Sequence, residues 1–206
     1  MQLSWPLVVA TAVALAATIP QARAFPVAGT PTTVNPGLLA ASGADSTAFF
    51  AFANAGDTSE LTLTGFSGNP IFNNSVNSAG DTVDLGALSG LQQFGLHNQS
   101  TGTTFLANVA DAAGDYHVFY ATNFADFSVG PLPAATVAAL AAAGATSVTF
   151  VGWEDRTGTQ GSDFDYNDLI FAFTNLAPPT VPEPTTLAVI GIGLAGLGLV
   201  RRRSLI

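Results

Sequence analysis

Short runs of strand-forming residues recur about every ten positions along the chain, each closed by Gly, Asn, Asp or Pro, and few folds other than an all-β one accept that spacing. The runs are Thr47 to Ala53, Glu60 to Phe66, Thr82 to Leu88, Gln92 to His97, Thr103 to Val109, Tyr116 to Thr122, Ser147 to Trp153 and Leu169 to Thr174. In "ELTLTGF" Leu61 and Leu63 interleave with Thr62 and Thr64, the period of a strand with one buried face. In "HVFYATNF" Val118 and Tyr120 oppose His117 and Phe119, which points to burial on both faces. With 21 Gly and 15 Phe beside many Thr, Val and Ala, the expected fold is an all-β sandwich of jelly-roll type over residues 25–180. One short helix is expected in "PLPAATVAALAAAG", with Pro133 near its start and Gly144 as its stop. Residues 25–46 read as an extended lead-in or an edge strand, and 175–184 as a Pro-rich spacer.

Composition removes most catalytic chemistry. The five basic residues are all Arg (Arg23, Arg156, Arg201, Arg202 and Arg203), so Schiff-base and P-loop lysine chemistry are excluded. No Cys is present, which excludes disulfides, thiolate catalysis and Cys-ligated metals. His97 and His117 are not at zinc-site spacing and read as surface or half-buried residues. "GFSG" at 65–68 is one residue short of a nucleophile elbow. Paired carboxylates can run glycoside hydrolysis, the one enzyme class left, but the expectation is a protein without catalytic activity.

Both ends read as addresses. Residues 7–19, "LVVATAVALAATI", are too short an apolar run for a comfortable membrane span, and "ARA" at 22–24 places small residues before Phe25. This is the pattern of a secretory signal peptide over residues 1–24, although "MQLSW" lacks the usual Lys or Arg. At the other end Pro182, Glu183 and Pro184 precede an apolar stretch from Leu187 to Val200 and then Arg201, Arg202 and Arg203, which the positive-inside rule keeps on the cytoplasmic side. Gly191-Ile192-Gly193-Leu194-Ala195-Gly196 spells a dinucleotide fingerprint by accident: it lacks the preceding strand and the later acidic residue such a site needs. Residues 181–206 resemble the PEP-CTERM sorting signal of Gram-negative bacteria, with Thr185-Thr186 where Ser often follows the triplet. The resemblance implies passage through the secretion machinery, a transient inner-membrane anchor, recognition by an exosortase, and release to the cell surface or extracellular matrix.

Between the two ends, every acidic residue except Glu183 faces a single base, Arg156. Such a surface repels nucleic acid and attracts divalent cations. The densest acidic stretch is "GSDFDYND" at 161–168, with Glu154 and Asp155 just before it. Carboxylates this close are tolerated only if solvated, protonated or neutralised by a cation. In an extended or turning backbone Asp163, Asp165 and Asn167 share one side while Phe164 and Tyr166 anchor the other. Several hard oxygens then face one point, as calcium requires. The loop is not an EF-hand: counted from Asp163, Asp168 stands where that loop needs Gly and Thr174 where it needs Glu.

Val151-Gly152-Trp153-Glu154-Asp155, a Gly/Thr-rich turn and Ser162 to Phe171 together resemble the C-terminal signature of the domain of unknown function 4114, with weaker similarity in "AGDTSELTL", "IFNNSVNSAGDTVDLG" and "HVFYATNF". That family occurs in secreted bacterial proteins, so the resemblance implies a β-rich extracellular module with a calcium site. The expected ligands are Asp163 and Asp165, followed by Glu154, Asp155, Asn167 and Asp168; the competing reading is a solvated turn in which Asp and Asn bond only the backbone. Two roles follow for the domain. One is a surface or matrix protein whose loop calcium holds in shape. The other is a calcium-dependent carbohydrate-binding module in which the cation, Trp153 or Tyr166 contacts extracellular polysaccharide.

Overall fold

Alternating Phe and Leu residues build two antiparallel sheets around one core in a computed structural model that describes residues 29–179. The strands are β1 (Leu39–Ala53), β2 (Ser59–Leu63), β3 (Phe72–Asn73), β4 (Thr82–Gln92), β5 (Phe94–Asn98), β6 (Thr103–Leu106), β7 (Val118–Ala121), β8 (Val148–Trp153), β9 (Leu169–Thr174) and β10 (Leu176–Ala177). The smaller sheet has the order β3-β2-β5-β6; the larger runs β10-β1-β9-β8-β7, with β4 also paired to β1. Side chains of the two sheets interdigitate. The Phe72 ring stacks on Phe171 at 5.8 Å, Phe50 meets both edge-on, and Phe94 lies 4.6 Å from Phe173. Leu61, Leu63 and Leu96 fill the same layer, and the Thr residues between them stay outside.

The larger sheet is buried on its other face as well. Phe49, Ala51, Phe150, Ile170 and Ala172 are covered by Phe124 and Phe127 of a short 3-10 turn and by the helix α1 (Ala134–Ala142). The Thr136 hydroxyl of α1 donates to the Phe50 and Ala51 carbonyls at 3.4 and 3.3 Å, tying helix to strand. This double cover explains why all six residues of β9 are buried and why "LIFAFT" shows no polar alternation.

Several boundaries differ from the sequence reading. β1 begins at Leu39 rather than Thr47 and runs inside its sheet, paired with β4, β9 and β10, so residues 39–46 are neither lead-in nor edge. Their Ala-Ser-Gly composition hides a strand whose pairing comes from partners far along the chain. β2 and β6 stop short, at Leu63 and Leu106, where turns begin. β10 lies within the expected spacer, and β3 was not expected; at two residues each, neither shows a period. His117 is buried, stacked 4.0 Å from Phe105 and bonded to Asp111 at 3.1 Å, not at the surface. No helix among the described residues is long and apolar enough to cross a membrane. The expected signal helix at 1–24 and the expected anchor at 181–206 lie outside the described residues.

Candidate metal centre

β8 ends at Trp153 and β9 begins at Leu169, and the acidic residues occupy the loop between them. The loop folds back tightly over β8. A Cβ on Gly152 would overlap the Tyr166 carbonyl oxygen and the Phe127 ring, so this position of the strand accepts only Gly. Phe164 and Tyr166 both take left-handed backbone angles, φ 52° and 59°. Such angles are costly for aromatic residues and persist only where packing enforces them. Here burial enforces them: Phe164 and Tyr166 are 6% and 1% exposed. The Tyr166 hydroxyl also accepts from the Thr32 amide at 2.9 Å and donates to the Tyr116 carbonyl at 3.0 Å. With the aromatics pinned inward, the intervening carboxylates turn outward.

One oxygen each of Glu154, Asp163 and Asp165 lies within 4.8 Å of the other two. Glu154 is fully buried; its Oε1 accepts from the Tyr166 amide and its Oε2 from the Ser162 hydroxyl. Burial, reinforced by the charges of Asp163 and Asp165, pushes the Glu154 carboxyl up to about 7. Burial also raises Asp165, whose oxygens accept from the Asn167 backbone amide at 3.1 Å and from its side chain. No basic side chain bonds to any of the three among the described residues.

A second carboxylate group sits beside the first. Arg156 grips Asp57 with two hydrogen bonds of 2.7 Å, and the buried Asn98 amide donates to Asp57 at 2.9 Å and to the Asp155 carbonyl at 2.7 Å. The Asp155 carboxylate accepts from the Ser59 hydroxyl at 3.3 Å, and the Asp155 amide donates to Asp168 at 3.0 Å. Arg156 and Asn98 hold the Asp57 carboxyl down to about 2. Burial raises Asp155 and pushes Asp168 up to about 8. A small polar cleft lined by Asp155, Arg156, Ser162, Asp163 and Asp168 opens between the two groups.

The sequence-derived ligands therefore divide. Asp163 and Asp165 converge with Glu154, which the sequence ranked below them; Asp155 and Asp168 join the Asp57–Arg156 group instead; Asn167 serves Asp165 as a hydrogen-bond donor. Asp57, Ser59 and Asn98 were not singled out. A signal for Asp57 was available: the only base of the domain needs a carboxylate, and "AGDTSELTL" carries one. Trp153 and Tyr166, the aromatics of the sugar-binding reading, are buried and present no face to a sugar.

The donor set suits a hard divalent cation. Two oxygens bound to one calcium at about 2.4 Å each lie at most about 4.8 Å apart. Glu154, Asp163 and Asp165 satisfy that limit with three carboxylates and no competing base. They would hold the ion, which would supply the positive charge that no base brings to these three residues.

Among known families, the PEP-CTERM protein-sorting motif matches residues 180–203. The chain carries that sorting motif. It covers Pro182, Glu183, Pro184 and the Arg201 to Arg203 cluster, and it marks an exported protein that is anchored transiently in the membrane and recognised by an exosortase. None of the curated proteins compared with the chain matches it.

Proposed function

We propose that the chain is an exported, non-enzymatic surface or matrix protein whose two-sheet domain is a β-sandwich, with one calcium ion holding the β8–β9 loop in shape. The sorting motif supports the route: signal peptide removal near Phe25, cleavage near Pro182-Glu183-Pro184, and release of a domain spanning about 25–180. The observation that carries the calcium reading is the convergence of Glu154, Asp163 and Asp165 without a neutralising base. The resemblance of residues 151–171 to the domain of unknown function 4114 supports the same reading.

The test is thermal denaturation of the processed protein with and without calcium. A ligand at about 100 times its Kd adds roughly 2.7 kcal/mol to the native state, several degrees in Tm at this size. Magnesium should act less well, because it demands tight octahedral geometry and sheds water reluctantly. Absence of any shift at tens of millimolar calcium would leave the loop a solvated turn. A glycan array probed with and without calcium separates the structural role from a lectin-like one. Calcium-dependent retention of one glycan class would favour the lectin, acting through the cation rather than through buried Trp153 or Tyr166.

A further inference from the structure

The two ends of the larger sheet differ in charge. β1 runs from one to the other: Ala53 pairs with Leu169 beside the acidic loop, and Ala40, near the start of the strand, pairs with Leu91 of β4 and Ala177 of β10. Both carboxylate groups stand at the first end. The second is built from residues 34–41, 63–69, 90–95, 106–109 and 175–179, and none of these segments holds an Asp, Glu, Lys or Arg. Hydrogen bonds join them: the Asn108 carbonyl accepts from the Asn35 side chain at 3.3 Å, the Asn108 side chain accepts from Gln93 at 2.7 Å, and the Gln93 carbonyl accepts from the Thr64 amide at 3.0 Å. The nearest acids are Asp45, beyond the first bulge of β1, and Asp111, half-buried and bonded to His117.

The uncharged end is also the apolar one. Val34, Leu91 and Val109 are 73%, 66% and 50% exposed, three of the five large apolar side chains left open to solvent among the described residues. The chain leaves the fold at the same end: Ala177 pairs with β1, and Pro179 packs on Gly37, where a Cβ would lie 2.7 Å from the Pro179 ring. The apolar stretch of the tail begins at Leu187, eight residues on. Eight residues span at most about 28 Å, so an anchored chain keeps its exit point within that reach of the membrane.

We propose that the uncharged end is a membrane-resting surface, on which Val34, Leu91 and Val109 settle among lipid headgroups while the tail anchors the chain. The inference rests on the transient anchoring that the sorting motif marks, not on the calcium site. Two physical effects favour lipid as the occupant. The short tether holds the surface at a high effective concentration, so contacts too weak to bind a free domain become populated. A bilayer carrying anionic lipid repels the carboxylates but not the neutral end, which turns the acidic end outward. Cleavage by the sorting enzyme removes the tether, and the contact lapses.

The experiment reconstitutes the chain through its intact tail into vesicles of phosphatidylethanolamine and phosphatidylglycerol, in chelator so that calcium plays no part. The protein has no Cys, so V34C, L91C, V109C and V76C each carry a single fluorophore at a known place. Val76 is as exposed as the others but sits at the acidic end, where the Asn74 side chain, two residues before it, donates to the Asp57 carbonyl at 2.8 Å. Side chains seated at the headgroup boundary lie within reach of headgroup spin labels, which should quench labels 34, 91 and 109 about twofold or more beyond label 76. Equal quenching at all four sites would overturn the proposal. V34D/L91D, read from label 109, should abolish the excess; an excess that survives reflects the tether alone and would overturn the surface. An emission shift at the three labels that grows with protein density and resists the lipid quencher would overturn lipid as the occupant in favour of a second copy.

Discussion

One loop holds carboxylates in two ways. On one side Asp57 is gripped by Arg156 and Asn98, and Asp155 and Asp168 bond the backbone and hydroxyl groups around it, so the group carries its own countercharge. On the other side Glu154, Asp163 and Asp165 converge with only neutral donors, Ser162, two backbone amides and the Asn167 side chain. The two groups share a backbone and differ in whether protein supplies the positive charge. An acidic cluster is therefore not in itself a cation site. The part of it that lacks a base is where the proposed ion would sit.

The largest effect should come from breaking the floor under both groups. Gly152→Ala pushes a methyl into the Tyr166 carbonyl and the Phe127 ring. It should cost about 3 kcal/mol, roughly 10 °C in Tm by calorimetry, whether or not calcium is present.

The pH dependence should set Glu154 and Asp168 against Asp57 by sign. Glu154 has an ordinary value of 4.5 raised to about 7, so the native state keeps its proton while the unfolded chain loses it. Cation-free stability should then fall as pH rises through that window, by about 3 kcal/mol for a shift of this size. Asp168, raised to about 8, extends the decline. Asp57 works the other way: lowered from 3.8 to about 2, it contributes stability above its unfolded value that is lost as pH falls through the folded one. Cation-free melting should peak near the crossover of the two windows, and calcium should flatten the Glu154 part of the alkaline decline because the ion replaces that proton.

Next in size is Arg156→Gln, which leaves Asp57 bound by Asn98 alone. Melting curves should show a drop of a few degrees in Tm without calcium and an undiminished calcium shift. A lost shift would mean that the two groups act as one. The smallest effect belongs to Tyr166→Phe, which removes the bonds to Thr32 and Tyr116 but keeps the buried ring. It should cost about 1 kcal/mol in the same melts and weaken calcium binding only slightly.

The same contrast explains what was legible in the sequence. β2, β8 and β9 were readable because each carries its own apolar pattern, and α1 because Pro133 and Gly144 bracket an Ala-rich body. The first half of β1 was not, since "LAASGADS" has no pattern and becomes a strand through pairing with β4 and β10. At the site, Asp163 and Asp165 were legible from alternation with Phe164 and Tyr166 within a few residues. Glu154 needed the loop to fold back over Gly152, and Asp57 needed a contact spanning 99 residues, which no local spacing encodes.

The most direct test is calorimetric titration of calcium into the processed protein, run beside Asp165→Asn and Asp57→Asn. The wild type should bind one ion per chain, with a Kd on the order of 0.1–1 mM as in extracellular calcium modules. Asp165→Asn should abolish the heat and Asp57→Asn should keep it. No heat from the wild type at millimolar calcium, or binding that survives Asp165→Asn, would contradict the account.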